Sequence, residues 1–258
     1  MNLKNISKKL RKNILTLTHQ AKSSHIGSCL SIVDILTVLY LNIIKKKNND
    51  RFILSKGHAT LALYCVLHHK NIINKKTLFS YGKENSVLMG HTSHHVPGII
   101  FSTGSLGHGL PVAAGIALSS KIRSSSQRVY VLLSDGELNE GSNWEALMFS
   151  SHQNLDNLCV IIDYNKLQSL TTVSNTINIE PLKRKFQSFG CDVEVIDGHN
   201  FTQIKKALKK KQKNKPRIVI ANTTKGKGVS FMENKVAWHY RSPNANELQK
   251  ALIEIDNA

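Results

Sequence analysis

The stretch VYVLLSDGELNEGSNWEALMFSSHQNLDNLCVIIDYNKLQ, residues 129–168, contains two short apolar runs flanking a segment with helical spacing. Val129 to Leu133 reads as a buried parallel strand, and Ser134-Asp135-Gly136 breaks it with turn residues, which puts Asp135 at the strand's carboxyl end. Trp144 to Phe149 reads as helix, and a second apolar strand, Leu158 to Ile162, ends in Asp163-Tyr164-Asn165. Two neighbouring strands would set the carboxylate of Asp135 beside the carboxamide of Asn165. Both are hard oxygen ligands of the kind Mg²⁺ takes, with water and phosphate oxygens completing its octahedron. Gly136, having no Cβ, would let a diphosphate approach its backbone N–H. On spacing alone a plainer reading stays open, in which the acid only caps the next helix.

The run DGELNEGSNWEA followed by DYNKLQ resembles the thiamine diphosphate motif of the transketolase family, which opens on Asp-Gly and closes on Asn after an intervening helix and strand. The resemblance implies that Asp135, Asn165 and the backbone carbonyl of Leu167 hold the metal and that Gly136 touches the diphosphate. Ser134 stands where the family usually has Gly.

A chain of 258 residues is long enough for a full hydrophobic core, and one α/β domain with a tail is the default. We set the domain at 1–244 and the closing helix at 245–258. No stretch has the uninterrupted apolar length of a membrane span, and the N-terminus is helical in period rather than signal-like, so a soluble cytoplasmic protein is expected. Cys29, Cys65, Cys159 and Cys191 are dispersed without CxxC spacing and read as reduced core residues. The net charge of +18 could signal nucleic acid. The lysines, however, fall into many short groups such as Lys45-Lys46-Lys47 and Lys209-Lys210-Lys211, without aromatic interleaving or an RNA-binding motif, which argues against a nucleic-acid site. Such a surface also suits anionic sugar phosphates or an acidic partner chain.

Working toward the N-terminus, Ile6, Leu10, Ile14 and Leu17 recur at helical spacing and predict an amphipathic helix over about residues 4–22. Ser31-x-x-Asp34 resembles a capping box opening a helix from Ile32 to Leu41, which leaves His25 and Ser28 in the loop between the two helices. Arg51 to Leu54 reads as a strand, turning through Ser55-Lys56-Gly57-His58-Ala59 into a helix that ends near Lys70. Met89 to His95 holds three histidines that could suggest zinc, but no fourth ligand accompanies them. Thr103 to Gly109 is a glycine-rich turn before a helix from Leu110 to Ser120, an arrangement that binds phosphates in general. Beyond the central stretch the pattern predicts helices over Pro181–Phe189, from Phe201 through Leu208, and over Ala245–Asp256, with strands at Val193–Ile196 and Arg217–Ala221.

Four of these loops add to the resemblance. KSSHIGSCLSIVDILTVLY is similar to the family's His-x-x-Ser segment, which implies sugar contact for His25 and a place at the substrate or cofactor for Ser28. FILSKGHATLALY is similar to its Ser-Lys-Gly-His-Ala signature, which assigns His58 to the diphosphate. In GHTSHHVPGIIFSTGSLGHGL, His91 would face the cofactor's thiazolium and the sugar hydroxyls, while Gly104, Ser105 and Leu106 would line the aminopyrimidine end. Lys225, in NTTKGKG, and His239, after Trp238, would reach cofactor and substrate. Ile100 and His108 replace the family's usual Glu and Gln, and Ser24-His25-Ile26 replaces Gly-His-Pro. Glu140 resembles a glutamate that pairs across the family's subunit interface; it reads equally as a first-turn acid favoured by the helix dipole.

The expected fold is α/β, a parallel sheet with helices on both faces and all the motif loops at one edge. The expected function is that of the N-terminal subunit of a two-polypeptide transketolase using thiamine diphosphate and Mg²⁺. The domain that binds the aminopyrimidine and supplies an activating glutamate would lie on a separate partner chain in an α2β2 assembly. Two rivals remain: the α subunit of a thiamine-dependent 2-oxoacid dehydrogenase, which would leave SKGHA and GSLGHG unexplained, and a non-catalytic subunit that binds a partner or RNA.

Overall fold

A computed structural model describes residues 2–210 and 213–257, so Lys211 of one lysine run lies outside it. Five strands, β1 (Arg51–Leu54), β2 (Val129–Ser134), β3 (Leu158–Tyr164), β4 (Asp192–Asp197) and β5 (Arg217–Asn222), form one parallel sheet in the order β1-β2-β3-β5-β4. Side chains alternate between two cores, as a period of two requires. Phe52, Leu54, Tyr130, Leu132, Cys159 and Ile161 face one core, with helices Leu3–Ala21, Thr60–His69, Phe201–Lys209 and Ala245–Asn257. Ile53, Val131, Leu133, Val160, Ile162 and Ile220 face the other, with helices Gly109–Ile122, Gly141–His152 and Leu182–Ser188. The expected sheet covered on both faces is what forms.

The first helix buries Ile6, Leu10, Ile14 and Leu17 as its spacing predicts. Asn2 caps its start, and Lys22 ends it in the left-handed region. The next segment departs from expectation. Instead of one helix from Ile32 to Leu41 there are two, Ile26–Ser31 and Val33–Val38, followed by a wider turn, and Ser28 sits within a helix rather than a loop. Ser31 and Asp34 do not form a capping box, because each is taken by a distant partner. The Ser31 hydroxyl donates to Asp163, and Asp34 receives the Arg11 guanidinium.

All four cysteines are buried and unpaired. Among the described residues no helix is long and apolar enough to cross a membrane. At the sheet's edges, β1 is almost wholly buried, whereas β4 is half exposed and carries Asp192 and Glu194, both paired with Arg217 of β5.

Two buried carboxylates tie the fold to pH. Burial opposes the charge on Asp163, but the Lys56 ammonium outweighs it and holds this carboxyl below its usual value. Burial likewise opposes the charge on Asp34, and Arg11 with His199 outweighs it. A depressed folded value gives stability that is complete above the unfolded carboxyl's value and is lost as pH falls toward the folded one. The urea midpoint should therefore hold steady above about pH 5 and drop steadily below about pH 4. A midpoint unchanged to pH 3 would contradict this account.

Candidate active site

Ser134 of β2 lies opposite Asp163 of β3, so the residues that follow the two strands, Asp135 and Asn165, emerge next to each other. Asp135 accepts the N–H of Gly136 at 2.8 Å and of Lys166 at 2.5 Å. Asn165 Oδ1 accepts the Leu167 N–H at 3.1 Å, and its Nδ2 donates to Asp163 at 3.0 Å. Lys166 turns the chain in the left-handed region, and the carbonyls of Leu167 and Gln168 accept from the Lys225 ammonium at 3.4 and 2.9 Å. Ser134 is accommodated in its turn because its hydroxyl accepts the Glu137 N–H at 3.2 Å.

These strand ends border a cavity of about 240 Å³ that also takes His25, Ser28, Lys56, His58, His91, Gly104, Leu106, Ser169 and His239. His25 adopts a left-handed conformation, φ 73°, which aims the start of the Ile26–Ser31 helix at the cavity. Its ring centroid lies 5.3 Å from that of His58, 5.8 Å from His91 and 4.9 Å from His239. The Gly104 loop is anchored by the Thr103 hydroxyl, which donates to the Leu54 carbonyl at 2.7 Å.

Burial, followed by the charges around them, keeps three of these imidazoles neutral near pH 7. His25 falls to about 4, with His91 and Lys225 adding to burial. His239 falls to about 3, with Lys225 and His25 adding. His58 falls well below the usual value, with Lys56 adding. Lys225 Nζ donates to His239 Nδ1 at 3.0 Å, so the neutral ring of His239 carries its proton on Nε2.

The donors present fit a divalent cation bridging an anionic group. Burial and the neighbouring Asp163 raise Asp135 to about 7, and a cation would relieve that cost. Beside Gly136, the buried Nε2 of Gln168 has no hydrogen-bond partner, a donor suited to an anionic oxygen. Asp163 is not available as a ligand, since Lys56, Ser31, Thr223 and Asn165 all donate to it.

Of the residues singled out in the sequence, Ser105 and Glu140 do not line the cavity, and both are exposed. His108 is exposed and bonds to the Leu106 carbonyl at 2.9 Å; Ile100 is exposed too. Lys56, Gln168 and Ser169 line the cavity without having been expected there. Buried Glu137 was also unexpected. It receives the Ser55 hydroxyl and the N–H groups of Gly107 and Ser134, joining three loops beneath the site.

Residues 4–254 match the family model described as transketolase, thiamine diphosphate binding domain. One of the two subunits of the apulose-4-phosphate transketolase of Phocaeicola vulgatus is 38% identical, over 96% of this chain and 92% of its own length. The protein of that description from Actinobacillus succinogenes is 39% identical, over 96% and 94%. Among solved structures, the transketolase of Campylobacter jejuni superposes with a TM-score of 0.92 at 30% identity, covering 99% of this chain and 43% of that one. The chain thus spans less than half the length of that solved transketolase.

Proposed function

The chain belongs to the transketolase family, as a thiamine diphosphate-binding domain, and on that premise we propose that it is the cofactor-anchoring subunit of a two-chain transketolase. It transfers a two-carbon ketol unit from a ketose phosphate to an aldose phosphate, using thiamine diphosphate and Mg²⁺. The bound cofactor supplies the electron sink that lets the carbon–carbon bond beside a ketose carbonyl break. Asp135, Asn165 and the Leu167 carbonyl hold the metal. The Gly136 N–H, His58, Gln168 and Lys225 address the diphosphate, and Gly104, Ser105 and Leu106, with Ser28, address the rest of the cofactor. His25, His91 and His239 face the sugar. The neutral rings of His25 and His239 can take a proton from a sugar hydroxyl and return it, and His239 can donate from Nε2.

The partner chain carries the aminopyrimidine site, as the naming of the two relatives as subunits and their near-equal length suggest. Two copies of each chain make up the assembly, and Glu140 is placed on the outside, where another chain can meet it. The net charge of +18 draws anionic sugars toward the site. One observation supports the reading above all: the Asp135–Asn165 pair and the histidine cluster border the same cavity.

Mixing this chain with its partner, thiamine diphosphate and Mg²⁺ should give ketol exchange between xylulose 5-phosphate and ribose 5-phosphate, or between related sugar phosphates. This chain alone should give none above background. Exchange without the partner would defeat the two-chain reading, and absence of any ketol transfer in the mixture would defeat the assignment.

A further inference from the structure

The Thr223–Gly228 loop separates two cavities. Lys225 borders the one described above, while Lys227 and Gly228 border a second, of about 340 Å³, together with Arg11, Asp34 and His199. Behind the loop, Arg11 donates to Asp34 through both terminal nitrogens, at 2.9 and 2.7 Å. His199 Nδ1 lies 2.8 Å from Asp34 Oδ2, and the Thr224 backbone N–H donates to His199 Nε2 at 2.9 Å. Only the tautomer with its proton on Nδ1 satisfies both contacts, and the carboxylate selects that tautomer. Arg11 Nε reaches past the ion pair to the Lys227 carbonyl at 3.1 Å. One buried ion pair therefore grips the chain on both sides of Lys225.

His199 is itself held in place. The Gly198 N–H donates to the Asn222 carbonyl at 2.7 Å, and a Cβ on Gly198 would fall 2.4 Å from Thr223 Cγ2 and 2.9 Å from that carbonyl. The turn before the Phe201–Lys209 helix is thus packed onto the root of the loop. Between the two grips, the Gly226 N–H donates to the Gly27 carbonyl at 3.0 Å, which ties the loop to the helix that follows His25.

We propose that Arg11, Asp34 and His199 are positioning residues that clamp the Thr223–Gly228 loop from behind and so fix where the Lys225 ammonium stands in the cavity. The proposal rests on the reading that Lys225 serves the anionic end of the cofactor, though none of the three touches the cavity itself. A loop with this few contacts to the sheet would otherwise open locally at low cost.

The test compares His199→Leu with His199→Gln in the full chain. Leucine can neither donate nor accept, whereas the glutamine carboxamide can donate to Asp34 and accept from Thr224. In His199→Leu the Thr224–Gly228 amides should exchange about tenfold faster, while the Val131 and Ile161 amides and the urea midpoint stay put. His199→Gln should return the loop to its original rate. Thiamine diphosphate affinity, titrated with Mg²⁺ and the partner chain present, should fall only in His199→Leu. Loop amides that keep their rate in His199→Leu, strand amides that speed up as much as the loop's, or a glutamine variant that does not rescue would each overturn the clamp. If His199→Leu does not fold, the unaltered chain decides: a Thr224 amide protected like the sheet supports the clamp, and one exchanging like an open loop overturns it. Should the loop loosen as expected while affinity ignores even Lys225→Ala, the clamp stands and the reading of Lys225 fails.

Discussion

Replacing Asp135 with alanine should weaken Mg²⁺-dependent thiamine diphosphate binding by at least about 100-fold, measured by calorimetry with the partner chain present. Of the three groups assigned to the metal, only Asp135 carries charge; Asn165 and the Leu167 carbonyl are neutral dipoles. No other carboxylate can step in, because the neighbouring Asp163 is already saturated by Lys56, Ser31, Thr223 and Asn165. Supporting residues around a metal are commonly worth about 10–100-fold in affinity, so loss of the one anionic ligand belongs at or above that range. Asp135→Asn is expected to behave similarly, since it keeps the shape and removes the charge. Burial and the charge of Asp163 disfavour the Asp135 carboxylate, so neither variant should destabilise the metal-free chain, and lost binding cannot be mistaken for lost folding. Affinity within about threefold of the unaltered chain would show that the cation is held elsewhere.

The largest loss of stability is expected from Lys56→Met. Lys56 and Asp163 are both fully buried, and the ammonium stands 2.5 Å from the carboxylate, joining the end of β1 to the end of β3 across β2. Removing one partner of such a pair leaves an uncompensated buried charge, which costs about 3–5 kcal/mol. The Ser31, Thr223 and Asn165 donors that remain on Asp163 keep the figure toward the lower end. For a chain of this size that corresponds to a fall in melting temperature of roughly 10 °C. The double variant Lys56→Met with Asp163→Asn should recover part of the loss, because no charge is then stranded. A Lys56→Met chain that melts within about 1 °C of the original would mean that the buried pair contributes nothing net.

Much of this was legible in the chain itself, for reasons that can be named. β-branched runs broken by Asp-Gly and by Asn gave the two central strands, and their ends had to be neighbours once the strands paired in parallel. The first helix declared its buried face through Ile6, Leu10, Ile14 and Leu17. What stayed hidden depends on partners far away in the sequence. Lys56 looked like one member of a turn because Asp163, which makes it structural, comes 107 residues later. Ser31 and Asp34 imitated a helix cap because local spacing cannot show that Asp163 and Arg11 will claim them. Glu137 had no local signature at all; its importance lies in three loops meeting over one buried carboxylate. His199 lay in an Asp-Gly-His-Asn turn that served only as punctuation until Thr224 was seen to donate to it.

The outer strands of the sheet bear on how another protein can attach. A partner that binds by contributing an extra strand needs an accessible row of backbone groups without charge in the way. Here one border is buried under the rest of the molecule, and the other carries carboxylates locked to an arginine. Backbone zippering is thereby discouraged on both flanks, against stray aggregation as much as against a genuine companion. Recognition is left to helix faces and to the rim of loops, where shape and side chains rather than main-chain pairing select the visitor.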